Sequence, residues 1–365
     1  MNATIAAIIP TNLSARLTLH IIHANLAKGF RGGERQTVLL IKALAGKPGI
    51  SSQTLVCQPD SPLRSELSTT PGVRFVSARH QLAGHRQAGR TDLVHAHDAK
   101  AVHWAWLHHR FLATPYLITR RVDTPVKRRF SNRLFYRNAQ RCVALSSVIA
   151  DNIQPLSPYP VVKIPSAFTS FTTSPEVAQD FRARYPDRFL VGHAGALVDR
   201  HKGQRVLIDA ARRLQHSQPD MLFVFFGRGE DETILKQESA DLDNVVWAGF
   251  KPDLGHYLAA LDVFAFPSRN EGLGSVLLDA MKAGVPIVAS QTGGIPDIIH
   301  HGKTGLLFPS GDAETLSRHL VSLRDKALRL TLAQNATQQL SQYTPEAMAN
   351  SYMDLYLSIA QHPTH

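Results

Sequence analysis

Cysteine and long apolar runs are both scarce in this chain, and each shortage excludes a class of protein. Only two cysteines, Cys57 and Cys142, occur among the 365 residues, and neither lies in a C-x-x-C or zinc-ligand spacing. We therefore expect reduced thiols and no disulfide framework. No run approaches the roughly 20 apolar positions that a membrane span requires. Residues 1–16 lack the pattern of a signal peptide, so the expected location is cytoplasmic.

Charge is moderate overall but unevenly distributed. Charged residues make up 19% and hydrophobic residues 44% of the chain, which is typical of a folded protein of about two domains. Residues 1–165 contain 22 Lys and Arg against 7 Asp and Glu, whereas residues 166–365 contain 18 against 22. This difference suggests that the two halves meet different partners, and a generally basic protein kept soluble by its charge is the alternative.

Short apolar runs bounded by turn residues recur through both halves, with helical patterns between them. Seven such runs lie between residues 17 and 164, and six lie between residues 189 and 308. Runs that are apolar on both faces are typical of buried parallel strands, with the helices as crossovers. We therefore predict an α/β protein with two doubly wound, Rossmann-like domains.

The predicted domain boundary is a stretch rich in Ser, Thr and Pro, residues 165–176, whose composition suits a linker. It separates a first domain of residues 1–165 from a second domain of residues 166–342. Residues 343–365 then form a helix with an apolar, tyrosine-rich face. This helix either packs back on the first domain or closes the second, and the pattern alone permits both.

The strongest chemical signal follows the strand predicted at residues 263–266, where a loop leads into a helix near Gly274. Ligands of open α/β sheets bind at this end of the strands. The first amides of the helix lack intrahelical partners and carry the positive end of the helix dipole, which suits a phosphate. Gly272 and Gly274 let the phosphate approach the backbone, and Leu273 and Ser275 complete the predicted binding segment.

Two acids flank this segment. Glu271 lies just before the helix and Asp279 about five residues inside it, which separates them by roughly 7 Å along the helix axis. A diphosphate at the start of the helix would bring a sugar near Glu271 and a ribose near Asp279, because a carboxylate accepts two hydroxyl hydrogen bonds. The alternative is an N-terminal acid favoured by the helix dipole and an exposed aspartate.

Two further segments follow strands and open helices. A loop that carries Arg200 and Lys202 beside Gly203 is predicted to form a second phosphate clamp, with solvated loop charges as the alternative. In the first half, Gly32 and Gly33 leave room for a ligand before the next helix. This turn is neither a G-x-G-x-x-G fingerprint nor a P-loop, and alone it is weak evidence.

In order and spacing, these segments resemble family-4 retaining glycosyltransferases of the GT-B fold, and the resemblance covers residues 17 to about 360. The segments that carry it are FRGGERQ (30–36), DLVHAHD (92–98), KIPSAF (163–168), GALVDRHKG (195–203), FFGRGED (225–231), VVWAGF (245–250), PSRNEGLG (267–274) and GGIPDII (293–299). The resemblance implies that the two domains face a cleft for donor and acceptor.

The resemblance also implies roles for single residues. Glu271 and Asp279 match the E-x7-E motif that binds the donor, the first acid near the transferred sugar and the second on the ribose, with aspartate in place of the second glutamate. Lys202 matches the lysine that binds the donor diphosphate. The arginine common six residues earlier is replaced by Ala196, and Arg200 is the candidate substitute.

In the first domain, Gly32 and Gly33 match the loop that faces the donor phosphates, and His97 matches the histidine near the reacting sugar. The implied catalytic residues are therefore His97 and Glu271. In this family the departing phosphate is generally read as assisting deprotonation of the acceptor, so the protein mainly stabilises charge on the phosphate. We expect no metal and no cofactor, only a UDP-, GDP- or ADP-sugar as co-substrate. The single D-x-D, residues 241–243, is interpreted as a surface loop.

Residues 118–141 interleave eight lysines and arginines with three aromatic residues. In an acceptor-binding first domain, this pattern predicts a phosphorylated glycan or glycolipid acceptor, or an anionic membrane surface on which the protein is peripheral. A solvated basic helix with core aromatics is the alternative. The phrase TRRVD is similar to lipopolysaccharide-type members of the family, and no nucleic-acid-binding motif is present.

The predicted function is therefore sugar transfer, with retention, from a nucleotide sugar to an acceptor in cell-envelope glycan assembly. A nucleotide-sugar epimerase or hydrolase on the same fold is the alternative among enzymes, and it would consume donor without acceptor. A non-catalytic two-domain sugar-binding protein and a basic nucleic-acid-binding protein are the alternatives of other classes. Steep salt dependence on nucleic acid would mark the last of these.

Overall fold

The computed structural model describes residues 18–127, 129–169 and 174–361. Residues 1–17, in which the sequence predicts no signal peptide, and residues 170–173 of the predicted linker lie outside the described residues. Within the described ranges, strands and helices alternate along the whole chain.

Thirteen strands are present in the described part of the chain, one for each apolar run. They are β1 (Leu19–Ala24), β2 (Ile50–Cys57), β3 (Val73–Ser77), β4 (Leu93–Ala96), β5 (Tyr116–Arg120), β6 (Arg141–Ala144), β7 (Val162–Lys163), β8 (Phe189–Ala194), β9 (Met221–Phe226), β10 (Val245–Gly249), β11 (Val263–Phe266), β12 (Ile287–Ser290) and β13 (Leu306–Phe308). Strands β4, β8 and β9 are buried along their whole length, which explains why their side chains are apolar except for His95 in β4 and His193 in β8.

The strands form two parallel sheets. Their orders are β3-β2-β1-β4-β5-β6-β7 in the first sheet and β10-β9-β8-β11-β12-β13 in the second. In each sheet the strand order reverses beside the first strand of the domain, β1 or β8, and such switch points are where doubly wound sheets bind ligands. The predicted fold class, two doubly wound Rossmann-like domains, is therefore confirmed.

Helices connect the strands. They are α1 (Gly32–Leu44), α2 (Leu63–Glu66), α3 (His85–Ala88), α4 (Ala99–Leu112), α5 (Phe130–Arg137), α6 (Ser147–Ile153), α7 (Pro175–Ala183), α8 (Asp199–Lys202), α9 (Gln204–Leu214), α10 (Glu232–Glu238), α11 (Gly255–Leu258), α12 (Ser275–Lys282), α13 (Ile295–Ile298), α14 (Ala313–Ser322), α15 (Lys326–Gln338) and α16 (Pro345–Gln361). Among the described residues, none of these helices combines the length and the apolar character needed to cross a membrane.

The C-terminal helix α16 lies on the first sheet. Its buried residues, which include Met348 and Tyr352, share one apolar cluster with Leu19 of β1 and Leu40 of α1. The hydroxyl of Tyr356 lies 2.7 Å from Nδ1 of His95 on β4. Of the two placements that the sequence left open, the structure therefore has the helix on the first domain, and the chain passes between the domains twice.

Side chains of the two domains also meet directly. Ser147, at the start of α6, donates its N–H and its hydroxyl to the carboxylate of Asp297 on α13, at 3.1 and 2.6 Å. Lys163 lies 3.8 Å from the same carboxylate. This contact joins the carboxyl end of β6 in the first sheet to the loop that follows β12 in the second. The edges that carry the predicted site residues therefore face each other.

Candidate functional site

A cleft of about 730 Å³ lies between the domains, within the usual size of a small-molecule site. Arg35 and Lys42 on α1 line the first-domain side. Phe250, His256 and Asp279 line the second-domain side. Because α1 follows β1 and these second-domain residues follow β10 and β11, the cleft opens at the carboxyl ends of strands in both sheets. Ligands of open α/β sheets bind in this position.

The segment predicted to hold a phosphate leads into α12 as expected. Gly274 has a φ of +86° directly before Ser275, the first residue of the helix, and this left-handed conformation favours glycine. A Cβ on Gly272 would lie 2.4 Å from the carbonyl oxygen of Arg121, so the close approach of the first domain requires glycine there. Leu273 is buried between them. The first-turn amides of α12 are without intrahelical acceptors and suit an anion.

Lys202 and Glu271 form an ion pair within the second domain. Lys202 ends α8, which follows β8, and Glu271 lies in the loop after β11, so the neighbouring strands β8 and β11 bring the two side chains together. The ammonium of Lys202 donates to Oε2 of Glu271, and the side chains are 23% and 16% exposed. The structure thus joins the predicted diphosphate lysine and the predicted sugar-side acid.

The prediction of a loop at Arg200 and Lys202 is wrong, because both residues belong to the short helix α8. The carboxylate of Asp199 accepts the N–H of Arg205 at 2.7 Å and lies 3.1 Å from its guanidinium. These contacts tie the first residue of α8 to the start of α9 and close the helical turn. The sequence pattern did not reveal this turn, because α8 has only four residues and an apolar face is not discernible over that length.

Arg200 does not join the Lys202–Glu271 pair. Its guanidinium lies 3.0 Å from Glu230, and its side chain is 69% exposed. Residues two apart on a helix point about 200° from each other, so α8 directs Arg200 away from Lys202. The suggestion that Arg200 substitutes for the arginine replaced by Ala196 stays a prediction.

Asp279 lies on α12 in the wall of the cleft. Its Oδ1 accepts the N–H of Thr169 at 3.0 Å. Burial raises the pKa of Asp279 to about 6, and the bond from Thr169 and the nearby cations Arg35 and Lys282 oppose the rise. Asp279 therefore faces the cleft beside α1, while Glu271 precedes α12, which fits a ligand that extends along this helix.

His97 directly follows β4 and is buried in a chain of hydrogen bonds. Its Nδ1 lies 3.3 Å from a guanidinium nitrogen of Arg121, and its Nε2 lies 3.0 Å from Nδ1 of His23. Nε2 of His23 in turn lies 3.1 Å from Oε1 of Gln53. The rings of His97 and His95 have centroids 3.8 Å apart. We call His23, His95 and His97 the histidine cluster.

Gln53 and Arg121, at the two ends of this chain of hydrogen bonds, determine which ring nitrogen of each histidine is the donor. Gln53 donates its amide to the carbonyl oxygen of Ile41 at 3.0 Å, so its Oε1 faces His23 and accepts. Arg121 has only N–H donors, so His97 accepts through Nδ1. His97 therefore donates from Nε2 to His23, and His23 donates from Nε2 to Gln53. Both imidazoles are neutral in this arrangement.

Burial explains why the histidine cluster stays neutral. It lowers the pKa of His23 to about 3 and holds the pKa values of His95 and His97 well below 6.5. Neighbouring histidines and Arg121 lower the pKa values of His95 and His97 further. In this structure both nitrogens of His97 are bonded to protein groups, so the histidine predicted to be catalytic holds Arg121 in position.

The histidine cluster has the composition of a metal site, since each residue offers a ligand atom within 4.8 Å of the others. All of these ring nitrogens already have partners, however, and those of His95 are the hydroxyls of Tyr356 and Thr119, both at 2.7 Å. A metal ion would displace these bonds next to the positive charge of Arg121. The geometry therefore favours a hydrogen-bonded core cluster.

Another sequence pattern that could indicate a metal is the D-x-D of residues 241–243. Its Asp241 forms an exposed ion pair with an arginine of α9 at 2.9 Å.

The predicted glycines of the first domain open α1. A Cβ on Gly32 would meet no atom within 4 Å, whereas a Cβ on Gly33 would lie 3.4 Å from Cδ of Arg121. Their role in facing the donor phosphates stays a prediction. The carboxylate of Glu34 accepts the N–H of Arg31 at 2.8 Å and so occupies part of the helix start. Gly33 is thus adjacent to Arg121, which belongs to the basic stretch of residues 118–141.

Sequence reasoning missed Arg121 as a residue of the domain junction and missed His23 and His95 as partners of His97. One signal was available: His23 precedes the last residue of β1, and an H-x-H sequence spans the end of β4. The two strands are neighbours, with His23 paired with His95. No comparable signal existed for Arg121, because its neighbours come from segments distant in sequence, which include Gly33 and Gly272.

Comparison with known proteins adds to this geometry. Residues 188–326, which contain Lys202, Glu271 and Asp279, match the family described as glycosyl transferases group 1. The chain contains a group 1 glycosyltransferase domain. This domain includes the second sheet from β8 to β13 and the helices α8 to α14.

Relatives of the group 1 domain come from several organisms. A lipopolysaccharide core biosynthesis glycosyltransferase of Rhizobium meliloti is 32% identical over 232 residues, which cover 61% of this chain and 66% of the relative. A phosphatidyl-myo-inositol mannosyltransferase of Mycobacterium leprae is 29% identical over 205 residues, 54% of each chain. The alignments thus span less than two thirds of these curated relatives.

The structure of HepE from Anabaena in complex with UDP and glucose superimposes with a TM-score of 0.80 at 21% identity, covering 93% of this chain and 100% of HepE. At that identity the likeness concerns the fold. The two sheets and their helices therefore have the GT-B arrangement, and the part outside the group 1 domain shares it.

Proposed function

We propose that the protein is a retaining glycosyltransferase that moves a sugar from a nucleotide-sugar donor to an acceptor in cell-envelope glycan assembly. The observation that carries this proposal is the Lys202–Glu271 ion pair, located beside the start of α12 in a group 1 glycosyltransferase domain. A lysine ammonium suits a diphosphate, and a carboxylate suits sugar hydroxyls. The two groups occur together where the sheet binds ligands.

The cleft supports a nucleotide sugar as the donor. Asp279 would accept the ribose hydroxyls, Lys202 would neutralise the diphosphate, and Glu271 would hold the transferred sugar. The complex of HepE with UDP and glucose supports the same class of donor. The proposal covers UDP, GDP and ADP as the nucleotide of the donor.

In the proposed reaction, the bond between the anomeric carbon and the diphosphate oxygen breaks while the acceptor oxygen bonds to the same face of that carbon. The acceptor proton passes to the departing phosphate. Lys202 and the first-turn amides of α12 stabilise the negative charge that develops on this phosphate. Because these groups supply the positive charge, we propose that transfer is metal-independent.

For the acceptor, we propose an envelope glycolipid at an anionic membrane surface. Phe130 on α5 is 83% exposed, and Phe111 on the adjacent α4 is 59% exposed. Arg133 and Arg137 are exposed on α5 beside Phe130. Exposed cations next to large apolar side chains suit the headgroup region of a membrane. The names of the R. meliloti and M. leprae relatives support an acceptor of this class.

The test is a donor assay with and without acceptor. Purified protein is incubated with UDP-, GDP- or ADP-sugars and an extract of envelope glycolipids, and the released nucleoside diphosphate is measured in excess EDTA. We expect release that requires the extract and a product with the anomeric configuration of the donor. Donor consumption without acceptor would indicate an epimerase or hydrolase instead. Binding that raises the Tm without any turnover would indicate a sugar-binding protein.

A further inference from the structure

Arg121 is half-buried as a residue, but two nitrogens of its guanidinium are buried. It directly follows β5, and its Nε and Nη1 atoms are buried with no hydrogen-bond partner in the part of the chain that the structure describes. Its Nη2 donates to His97 at 3.3 Å. Within the described ranges, no carboxylate lies at ion-pair distance from it. A buried charge in this state is costly, so a missing partner is expected.

Arg121 lies at the junction of the two domains. Its side chain touches the start of α1, where a Cβ on Gly33 would lie 3.4 Å from Cδ. Its carbonyl oxygen touches the loop before α12, where a Cβ on Gly272 would lie 2.4 Å away. Both neighbours are glycines in segments predicted to bind phosphate. At Gly33 no side chain separates the start of α1 from the Arg121 side chain, and at Gly272 none separates the loop before α12 from the Arg121 backbone.

The hydrogen bond to His97 fixes the orientation of the guanidinium. His97 accepts from Nη2, and the bonds from His97 through His23 to Gln53 hold that imidazole in one tautomer. Glu34 and the hydroxyls of two buried tyrosines act on Arg121 through space, but the Glu34 carboxylate already accepts the N–H of Arg31. Of the five N–H groups of this guanidinium, one is used by His97 and four remain. The second N–H of Nη2 lies parallel to an N–H of Nε or of Nη1, and such a pair fits two oxygens of one oxyanion.

We propose that Arg121 is a ligand for a phosphate oxyanion at the domain junction and that His97, His23 and Gln53 are its positioning residues. The proposal rests on the proposed function, because it requires a phosphate-bearing molecule at the domain junction. That phosphate belongs either to the donor diphosphate or to a phosphorylated acceptor. In both cases the first domain contributes a direct contact to the anion, in addition to Lys202 of the second domain.

Calorimetry tests this assignment. UDP, GDP and ADP are titrated into the wild type, and the nucleotide that binds is then titrated into Arg121→Gln, Arg121→Lys and Arg110→Gln. Arg110 is the matched control, since it is an exposed arginine of the same domain on α4. Loss of a charge-assisted contact should weaken diphosphate binding on the order of 10- to 100-fold in Arg121→Gln. Binding of the nucleoside without phosphates should be unchanged.

A second arm separates the two sources of phosphate. Inorganic phosphate is titrated into each variant saturated with the nucleoside diphosphate. Weakening of the nucleotide alone assigns Arg121 to the donor, and weakening of inorganic phosphate alone assigns it to the acceptor. Either result supports the proposal. Unchanged affinity for both ligands in Arg121→Gln would overturn it.

Thermal unfolding distinguishes a ligand from a structural residue. Because Arg121 is unpaired without ligand, Arg121→Gln should keep or raise the Tm of the free protein. A lower Tm together with unchanged affinities would show that the residue serves packing, and the proposal would fail. If the wild type neither binds a nucleotide nor transfers sugar, the proposed function fails and this inference fails with it. If the wild type does both and Arg121→Gln matches it, only the inference fails.

Discussion

Replacement of Lys202 by alanine removes the cation that the proposed reaction depends on most. In the unliganded protein Lys202 is paired with Glu271, and both side chains are largely shielded from solvent at 23% and 16% exposure. When a diphosphate binds, the ammonium can contact both the carboxylate and the phosphate. In Lys202→Ala the carboxylate of Glu271 instead meets the incoming anion without any intervening positive charge.

Two contributions set the size of the expected effect. A hydrogen bond to a charged group contributes about 1.5–3 kcal/mol. Removal of one preorganised group that stabilises developing charge costs about 10²- to 10³-fold in kcat. Repulsion from Glu271 acts in the same direction. We therefore expect kcat/KM to fall on the order of 10²-fold in Lys202→Ala, which corresponds to about 2.7 kcal/mol of transition-state stabilisation.

The assay compares kcat/KM for the donor at saturating acceptor in wild type, Lys202→Ala and Lys236→Ala. Lys236 is the matched control, because its ion pair with Glu232 at 2.7 Å lies at the surface of the same domain. The double variant with Glu271→Ala should lose less than the two single effects combined, since the repulsion disappears with the carboxylate. A folded Lys202→Ala protein with wild-type kcat/KM would refute the reasoning, as would an equal loss in Lys236→Ala.

Three further expectations concern other groups. Asp279→Asn should weaken binding of the nucleoside diphosphate in calorimetry, whereas Glu271→Gln should lower kcat more than that affinity; equal losses of affinity would contradict these roles. Because burial lowers the pKa of His23 to about 3, the unfolded state binds more protons below pH 6.5, and stability falls as pH decreases toward 3. Urea unfolding at pH 7 and pH 4 should show a loss on the order of 3 kcal/mol greater in the wild type than in His23→Gln. Phe130→Ser should reduce sedimentation with anionic vesicles at low salt, and a wild type that ignores such vesicles would exclude the membrane surface.

The sheets were predictable because a strand buried on both faces has a continuous apolar sequence. The apolar runs predicted at Phe189–Ala194 and Met221–Phe226 have the bounds of β8 and β9, and both strands are buried throughout. The position of α16 was not predictable from its pattern, since an apolar face is satisfied by either domain. A polar contact favours the position of α16 on the first sheet. The buried hydroxyl of Tyr356 requires a hydrogen-bond partner, and His95 of that sheet supplies one.

The pairing of Lys202 with Glu271 follows from strand order, which the sequence does not specify by itself. Each residue follows a strand, and their strands β8 and β11 are neighbours in the sheet. The location of Arg200 could not be inferred in the same way. The helical turn at α8 directs Arg200 and Lys202 to different sides, and the contacts of Asp199 with Arg205 connect this turn to the start of α9.

The basic stretch at residues 118–141 combines two environments that its composition does not separate. Arg121 lies at the carboxyl end of β5 against Gly272 of the other domain, with two buried nitrogens. Phe130, nine residues later, is 83% exposed with arginines around it. Salt screens charges in solvent beyond about 10 Å but screens a buried cation much less. The exposed arginines therefore suit a reversible, salt-sensitive association with a surface, and Arg121 suits a specific anion. The number of charges in residues 118–141 does not separate these two roles. The contact of Arg121 with Gly272 of the second domain does.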